Sequence, residues 1–163
     1  MEEYLRKKKI VRIFTKADEN YSLTIRDGEI VLAPADPDDE FQHWVKDEKY
    51  ALKVKDRVDS SSFSLVNIAT GEAIKHSTNA DNNQEVSLTP YNLDRRGIDI
   101  FVLWSEGDDL GNGFRAIRKV NDISLNFDAF NGDKDHGGVR DGTKLTLWDW
   151  WSGDNQQWKI EKY

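Results

Sequence analysis

Residues Asp154-Asn155-Gln156-Gln157-Trp158 place a glutamine two residues before a tryptophan. The same pattern occurs at Gln42-His43-Trp44, and Trp104 falls between the two. The three tryptophans are separated by 60 and 54 residues. A period near this length that recurs three times predicts three equivalent lobes around a pseudo-threefold axis.

A second, shorter repeat supports the three lobes. Val31-Leu32-Ala33-Pro34 resembles Ser87-Leu88-Thr89-Pro90, and Thr146-Leu147-Trp148-Asp149 stands at the matching place. The leucines of these segments are 56 and 59 residues apart. We expect the lobe-ending tryptophans to fill a shared core and the glutamine amides to bond backbone groups at the lobe junctions.

Short segments of alternating apolar and polar residues predict an all-β fold, because no stretch keeps a helical period over three turns. The clearest of these segments are residues 11–14, 29–32, 63–66, 85–88 and 144–148. Turn pairs such as Asp27-Gly28 and Asn131-Gly132 separate them, and such pairs supply the positive φ that tight hairpins need. Many short strands with regular turns favour a sandwich or a barrel.

Composition excludes several classes of protein. The chain has 163 residues, no cysteine and a net charge of −7. One hydrophobic core is expected at this length, and disulfides, thiolate metal sites and a cysteine nucleophile are excluded. The acidic balance argues against nucleic-acid binding, and no apolar run approaches the ~20 residues needed to cross a bilayer. The first nine residues lack the apolar segment of a secretory signal, so we expect a cytoplasmic or nuclear protein.

The glutamine–tryptophan pattern in a threefold all-β chain resembles the ricin-B type β-trefoil lectins, and five segments are similar to one branch, the plant Euonymus lectin (EUL) domain. These segments are residues 17–24, 41–44, 70–76, 132–142 and 154–160. The similarity covers about residues 9 to 163, which gives a charged arm, residues 1–9, and an EUL-type β-trefoil domain, residues 10–163. The resemblance implies a nucleocytoplasmic carbohydrate-binding protein without enzymatic activity or a cofactor.

The third lobe offers the groups that a galactose-like sugar requires: an aromatic face, a carboxylate and an amide. Asp128 supplies the carboxylate and Asn155 the amide. The leucines around Trp148 alternate inward, so the Trp148 indole is expected to point outward. The ricin-type motif implies the same set, with Gln156 in support. The alternative is that Asp128 caps a turn, Trp148 covers a surface leucine and Asn155 holds a loop.

The other two lobes lack this set. When the three lobes are aligned, Thr24 and Lys75 stand opposite Asp128, while Ala33 and Thr89 stand opposite Trp148. We therefore predict one sugar site per chain.

The polar loop Gly132-Asp133-Lys134-Asp135-His136 lies between Asp128 and Trp148 in sequence and is expected to rim the same pocket. Asp133, Asp135 and His136 are candidates for bonding distal hydroxyls, although the loop is equally consistent with a plain hairpin turn. Trp150 shares the outward phase of Trp148, so we expect it to extend the site, to contact another chain or to pack over the lobe edge. Trp151 alternates inward and is expected in the core.

The favoured function is a lectin module for galactose-containing glycans, mannose-rich N-glycans or both. A shallow single site needs a homodimer or tandem domains for useful avidity. The alternative is a stress-response protein-interaction domain with an incidental sugar site, in which Trp150 and the basic run Arg6-Lys7-Lys8-Lys9 contact a protein. That run fits a nuclear-import patch, an interaction tail or a solvated arm. No catalytic triad, metal set or cofactor motif is present, which argues against an enzyme.

Overall fold

The computed structural model describes residues 3–76, 85–92 and 97–163, and the alternating segments in these ranges form antiparallel strands. The described ranges contain twelve strands: β1 Ile10–Thr15, β2 Tyr21–Arg26, β3 Glu29–Pro34, β4 Trp44–Asp47, β5 Ser62–Asn67, β6 Glu72–His76, β7 Val86–Pro90, β8 Trp104–Glu106, β9 Ile117–Lys119, β10 Asp122–Ala129, β11 Thr143–Asp149 and β12 Trp158–Lys162. All five predicted strand segments lie within or overlap these strands, so the all-β prediction is confirmed. The one α-helix of the described ranges, α1, covers only Glu3–Arg6, and no described helix could cross a membrane.

The strand pairing has threefold organisation. Six strands form a barrel in which β12 pairs with β1, β1 with β4, β4 with β5, β5 with β8, and β8 with β9. A bridge between Arg115 and Trp158 closes the ring. The other six strands form three hairpins, β2–β3, β6–β7 and β10–β11, one for each lobe. Six barrel strands with three hairpins are the architecture of a β-trefoil.

The three repeated tryptophans lie in the core, as the spacing predicted. Trp44, Trp104 and Trp158 are each fully buried. Each indole N–H donates to a strand carbonyl of its own lobe: Trp44 to Leu23 at 2.9 Å, Trp104 to Ile74 at 3.0 Å and Trp158 to Phe127 at 2.9 Å. The lobes are therefore equivalent in hydrogen bonding as well as in sequence.

Two of the lobes contain the predicted glutamine cap. The side-chain amides make these bonds: Gln42 Nε2 donates to Pro34 O and Gln42 Oε1 accepts from Asp36 N, while Gln156 Nε2 donates to Asp149 O and Gln156 Oε1 accepts from Trp151 N. Each glutamine thus satisfies one carbonyl and one N–H just after a hairpin strand, where the ladder leaves them open. In the second lobe Val102 stands at this place, and it packs in a small apolar cluster instead.

The N-terminal segment packs on the domain over part of its length. Leu5 is buried in a small apolar cluster beside the barrel, and the Tyr4 hydroxyl donates to Asp47 Oδ1 at 2.9 Å. The basic side chains from Lys7 to Lys9 are exposed. The segment predicted as a charged arm therefore contributes two contacts to the fold, the burial of Leu5 and the hydrogen bond of Tyr4. Its first two residues, Met1 and Glu2, lie outside the described ranges.

A buried histidine of the second lobe predicts that the fold is less stable in acid. His76 is fully buried, its Nε2 lies 3.1 Å from Ile100 O, and burial lowers the pKa of His76 to about 4. The unfolded chain takes up this proton near pH 6.5, whereas the folded chain resists it until about pH 4. The free energy of unfolding is therefore expected to fall by about 3 kcal/mol between pH 6.5 and pH 4.

Urea titrations between pH 4 and pH 7.5 measure this loss, and His76→Gln provides the comparison. The difference in slope between the two proteins isolates His76 from the other titrating groups, including carboxylates. Parallel pH profiles for the wild-type chain and His76→Gln would contradict the assignment.

Candidate functional site

The β10–β11 hairpin brings the predicted acid and indole to neighbouring strands. Phe127 pairs with Leu147, and Asp128 pairs with Thr146. Leu147 is fully buried while the adjacent Trp148 is 41% exposed. The predicted outward direction of Trp148 is therefore confirmed.

The register of the three hairpins confirms the alignment of the lobes predicted from the sequence. Leu23 pairs with Leu32, Ile74 with Leu88 and Phe127 with Leu147, and the first residue of each pair is the carbonyl partner of a core tryptophan. One residue further along, Thr24, Lys75 and Asp128 are equivalent, as are Ala33, Thr89 and Trp148. The combination of a carboxylate and an indole at these two places therefore occurs in the third lobe alone.

A cavity of about 190 Å³ opens on this hairpin. Its lining consists of Asp128, Phe130, Asn131, Asp133, His136, Trp148, Trp151 and Asn155. Five of these eight residues are candidates from the sequence. They come from β10 and β11, from the loop that joins these two strands, and from the 3-10 helix Asp154–Gln156. The volume is below the roughly 300–1,000 Å³ of pockets for drug-sized ligands, so the cavity suits a single small ring.

The carboxylate of Asp128 is buried and held by two amides. Asp128 is 5% exposed, and it accepts from Asn155 Nδ2 at 3.2 Å and from Gln156 Nε2 at 3.0 Å. Burial raises the pKa of Asp128 to about 6, while the hydrogen bonds from Gln156, Trp151 and Asn155 act in the opposite direction. Gln156 does not line the cavity but lies behind the carboxylate, which is the supporting position predicted for it.

Asn155 presents an acceptor that the protein leaves unused. The side chain is 2% exposed, and its Nδ2 also donates to Ala129 O at 3.0 Å. These bonds fix the amide orientation, since the donor end must face Asp128 and the carbonyl. The buried Oδ1 has no hydrogen-bond partner within the described part of the chain. A buried acceptor without a donor is costly unless a ligand supplies one.

The polar loop contributes two of its three candidates to the rim. Asp133 and His136 line the cavity, and His136 Nδ1 lies 2.6 Å from Asp133 Oδ2. This contact raises the pKa of His136. Asp135, in the 3-10 helix Lys134–His136, is exposed and does not line the cavity.

The prediction for Trp151 was wrong, and that for Trp150 needs correction. Trp151 is 47% exposed and lines the cavity, whereas it was expected in the core. Trp150 is 41% exposed but lines a separate cavity with Arg118 and Asn126. The reason is that β11 ends at Asp149, so the alternation of a strand does not continue into this segment. The turn residues that follow, Ser152-Gly153, were the available signal.

Phe130, Asn131 and Trp151 are the lining residues that sequence reasoning missed. Phe130 and Asn131 follow directly on β10, and Asn131 adopts a φ of 56°. In the sequence, the pair Asn131-Gly132 indicates a tight turn, and Phe130 precedes that pair. Neither Phe130 nor Asn131 was therefore predicted as a site residue. Together the lining offers carboxylate and amide acceptors beside exposed aromatic faces, which are the groups that bind a sugar ring.

No family model matches the chain, but curated relatives do. The chain is 54% identical over 153 residues to a ricin B-like lectin of Oryza sativa subsp. japonica, with 94% of this chain and 73% of the relative covered. It is 57% identical over 150 residues to the ricin B-like lectin EULS3 of Arabidopsis thaliana, with 92% of this chain and 46% of the relative covered. The chain therefore spans less than half the length of the second relative.

Solved structures share the fold at low sequence identity. A designed threefold-symmetric protein superimposes with a TM-score of 0.68 at 16% identity, covering 94% of this chain and 99% of its own. The ricin B-like lectin of Macrolepiota procera, solved in complex with lactose, gives 0.63 at 18% identity, with 95% and 96% covered. The C-terminal half of an earthworm R-type lectin, solved with GalNAc, gives 0.58 at 15% identity, with 95% and 99% covered.

These neighbours show the β-trefoil fold, and the curated relatives show the family. The chain belongs to the ricin B-like lectins, as a carbohydrate-binding domain of the Euonymus lectin type.

Proposed function

We propose that the cavity on the β10–β11 hairpin is the single conventional sugar site of the chain and that it binds a terminal galactose. The observation that carries this proposal is the pair of buried acceptors beneath an exposed indole. Asp128 and the unpartnered Asn155 Oδ1 lie at the floor, and Trp148 stands exposed beside them. A hexose hydroxyl is the donor that both acceptors require.

Galactose matches the arrangement because its axial 4-hydroxyl leaves one face of the ring apolar. That C–H face packs on Trp148, while adjacent hydroxyls donate to Asp128 and Asn155. Asp133 and His136 lie at the rim, where a further hydroxyl of the galactose meets them. The lactose and GalNAc complexes of the two lectin neighbours support a galactose-type ligand for this fold. Mannose-rich glycans are the second ligand class to be tested.

One such site gives weak binding by itself. Millimolar to sub-millimolar affinity for a monosaccharide corresponds to about −4 to −5 kcal/mol. Several sites in one assembly, through a homodimer or tandem domains, would raise the avidity. The proposed role is binding without catalysis, which agrees with the lectin names of the relatives. We propose the cytoplasm and nucleus as its location.

A glycan array with the wild-type chain and Trp148→Ala tests the proposal. Wild-type signal is expected on galactose-terminated glycans, and Trp148→Ala is expected to lose it because the stacking face is gone. Trp150→Ala is the matched control, since Trp150 is equally exposed but lies outside the cavity. Galactose signal that survives Trp148→Ala would show that the assigned cavity is wrong. Signal confined to mannose-rich glycans would overturn the galactose assignment.

The absence of signal on any glycan would instead favour a protein-interaction domain. Exposed Trp150 and its separate cavity are the surface on which that second function would depend. Pull-down with wild-type and Trp150→Ala chains would then separate a specific partner from background.

A further inference from the structure

The Trp151 ring occupies the space in which a side chain at position 153 would lie, although the backbone conformation of Gly153 does not itself demand a glycine. Gly153 has φ −67° and ψ 155°, a conformation open to every residue. A Cβ atom at Gly153 would nevertheless lie less than 3.0 Å from three carbons of the Trp151 ring. The Trp151 ring therefore lies against the backbone at Gly153, and a side chain at this position would displace it. The backbone N–H of Trp151 is also fixed, since it donates to Gln156 Oε1 at 2.9 Å.

The cavity has more aromatic surface than one hexose uses. Phe130 is 48% exposed, Trp148 is 41% exposed and Trp151 is 47% exposed, and all three line the cavity. The apolar patch of a galactose ring covers one aromatic face. Two exposed rings remain at the rim without a ligand contact in the proposed complex, and one of them, Trp151, packs against the backbone at Gly153. Exposed aromatic rings beside a binding site indicate a second apolar group on the ligand.

The polar groups of the rim indicate what that second group is. A second sugar residue would require its own donors and acceptors, but Asp133 Oδ2 already lies 2.6 Å from His136 Nδ1. Asn155 Nδ2 donates to Asp128, and its unpartnered Oδ1 is used by the galactose in the proposed complex. The side of the cavity formed by Trp151 offers a ring face instead. A flat apolar group attached to the galactose suits this face better than a second sugar.

We propose that the site recognises galactosides with an aromatic aglycone, with Trp148 under the sugar and Trp151 against the aglycone. This inference rests on the proposed galactose site and names its ligand class more narrowly. Trp151 is the specificity-determining residue, because it contacts the part of the ligand that distinguishes an aryl from an alkyl galactoside.

Calorimetric titrations of the full chain with methyl and phenyl galactosides of each anomer test the inference. Wild-type protein is expected to bind one phenyl galactoside about 3- to 10-fold tighter than its methyl counterpart, the increment of one aromatic contact. Trp151→Ala and Gly153→Ala are both expected to reduce this ratio to about one, the second because its Cβ displaces the indole. Trp150→Ala is the matched control and is expected to keep the ratio.

The outcomes separate the two proposals. If no galactoside binds, the proposed function fails and the aglycone proposal fails with it. If methyl galactoside binds but the wild-type ratio is near one, or the ratio survives both Trp151→Ala and Gly153→Ala, only the aglycone proposal fails. If lactose shows the same gain as phenyl galactoside and loses it in the Trp151 variant, a second sugar lies against Trp151 and the aromatic assignment is overturned.

Discussion

Asp128→Asn is expected to weaken galactoside binding by about 10- to 100-fold. The substitution keeps the size of the side chain but replaces a charged acceptor, whose hydrogen bonds are worth about 1.5–3 kcal/mol each. In the wild-type chain, Asn155 and Gln156 donate to the Asp128 carboxylate at 3.2 Å and 3.0 Å. The substitution places an amide N–H₂ opposite one of these donors, so that two donors face each other. Calorimetric titration with methyl galactoside measures the change.

Lys75→Ala is the matched control, because Lys75 occupies the equivalent position of the second lobe. It is expected to leave both the affinity and the stoichiometry of one site per chain unchanged. Circular dichroism confirms that each variant is folded. Full affinity in folded Asp128→Asn, or two sites per wild-type chain, would contradict the single third-lobe site.

Acid is expected to have the same effect on binding as the Asp128→Asn substitution. Since the pKa of Asp128 is raised to about 6, the carboxylate gains a proton as the pH falls from 7 to 5, and the affinity for galactoside declines across this range. Titrations at pH 7, 6 and 5 measure the decline, and Asp128→Asn is expected to lack that component. An affinity that is constant over this range in the wild-type chain would contradict the role of the carboxylate.

The raised pKa of Asp128 has the opposite consequence for folding. The folded chain binds this proton more tightly than the unfolded chain, whose aspartate titrates near pH 3.8. The contribution of Asp128 to stability is therefore present at low pH and is lost as the pH rises from 3.8 towards 6. At neutral pH the buried carboxylate destabilises the fold, a cost consistent with a residue retained for binding.

Trp158→Ala is expected to lower the free energy of unfolding by about 3–5 kcal/mol. Trp158 is fully buried at the base of the third lobe, and its ring packs edge-on against Phe127 at 5.8 Å. Truncation leaves a large cavity and removes the donor of Phe127 O, which is then buried without its partner. Urea denaturation monitored by circular dichroism measures the loss.

Trp148→Ala makes the same substitution ten residues earlier and serves as the comparison. Because Trp148 is 41% exposed, its removal is expected to change the free energy of unfolding by less than about 1 kcal/mol while abolishing galactoside binding. The two tryptophans thus separate stability from binding. Similar losses of stability in both variants would contradict the assignment of Trp158 to the core and Trp148 to the site.

The threefold arrangement follows from local patterns, which is why the sequence determines it. The spacing of Trp44, Trp104 and Trp158 predicted equivalent lobes, and their indole bonds to Leu23, Ile74 and Phe127 confirm the equivalence. The glutamine cap was also predictable, because an amide has a donor and an acceptor to offer at a lobe junction. The outward direction of Trp148 followed from alternation, since a regular strand sends neighbouring side chains to opposite faces.

Which of the residues after β11 line the cavity depends on the tertiary structure. Trp150 and Trp151 lie after Asp149, where β11 has ended and alternation no longer holds. The direction of their rings depends on contacts that are local in space rather than on a period: Gly153 leaves room for the Trp151 ring, and Gln156 fixes its backbone. The alternation of a regular strand therefore predicted Trp151 in the core and Trp150 in the site, and the structure shows neither.

The burial of Asp128 is the other feature that only the fold supplied. The sequence identified the acid from the alignment of lobes, but its raised pKa and the unpartnered Asn155 Oδ1 arise where the hairpin meets the helix Asp154–Gln156. The strand that carries Asp128, β10, ends 25 residues before that helix begins. Sequence thus determined the lobes and the residue types of the site, because both depend on repeats and alternation. The environment of each group depended on packing between distant segments, which no local pattern encodes.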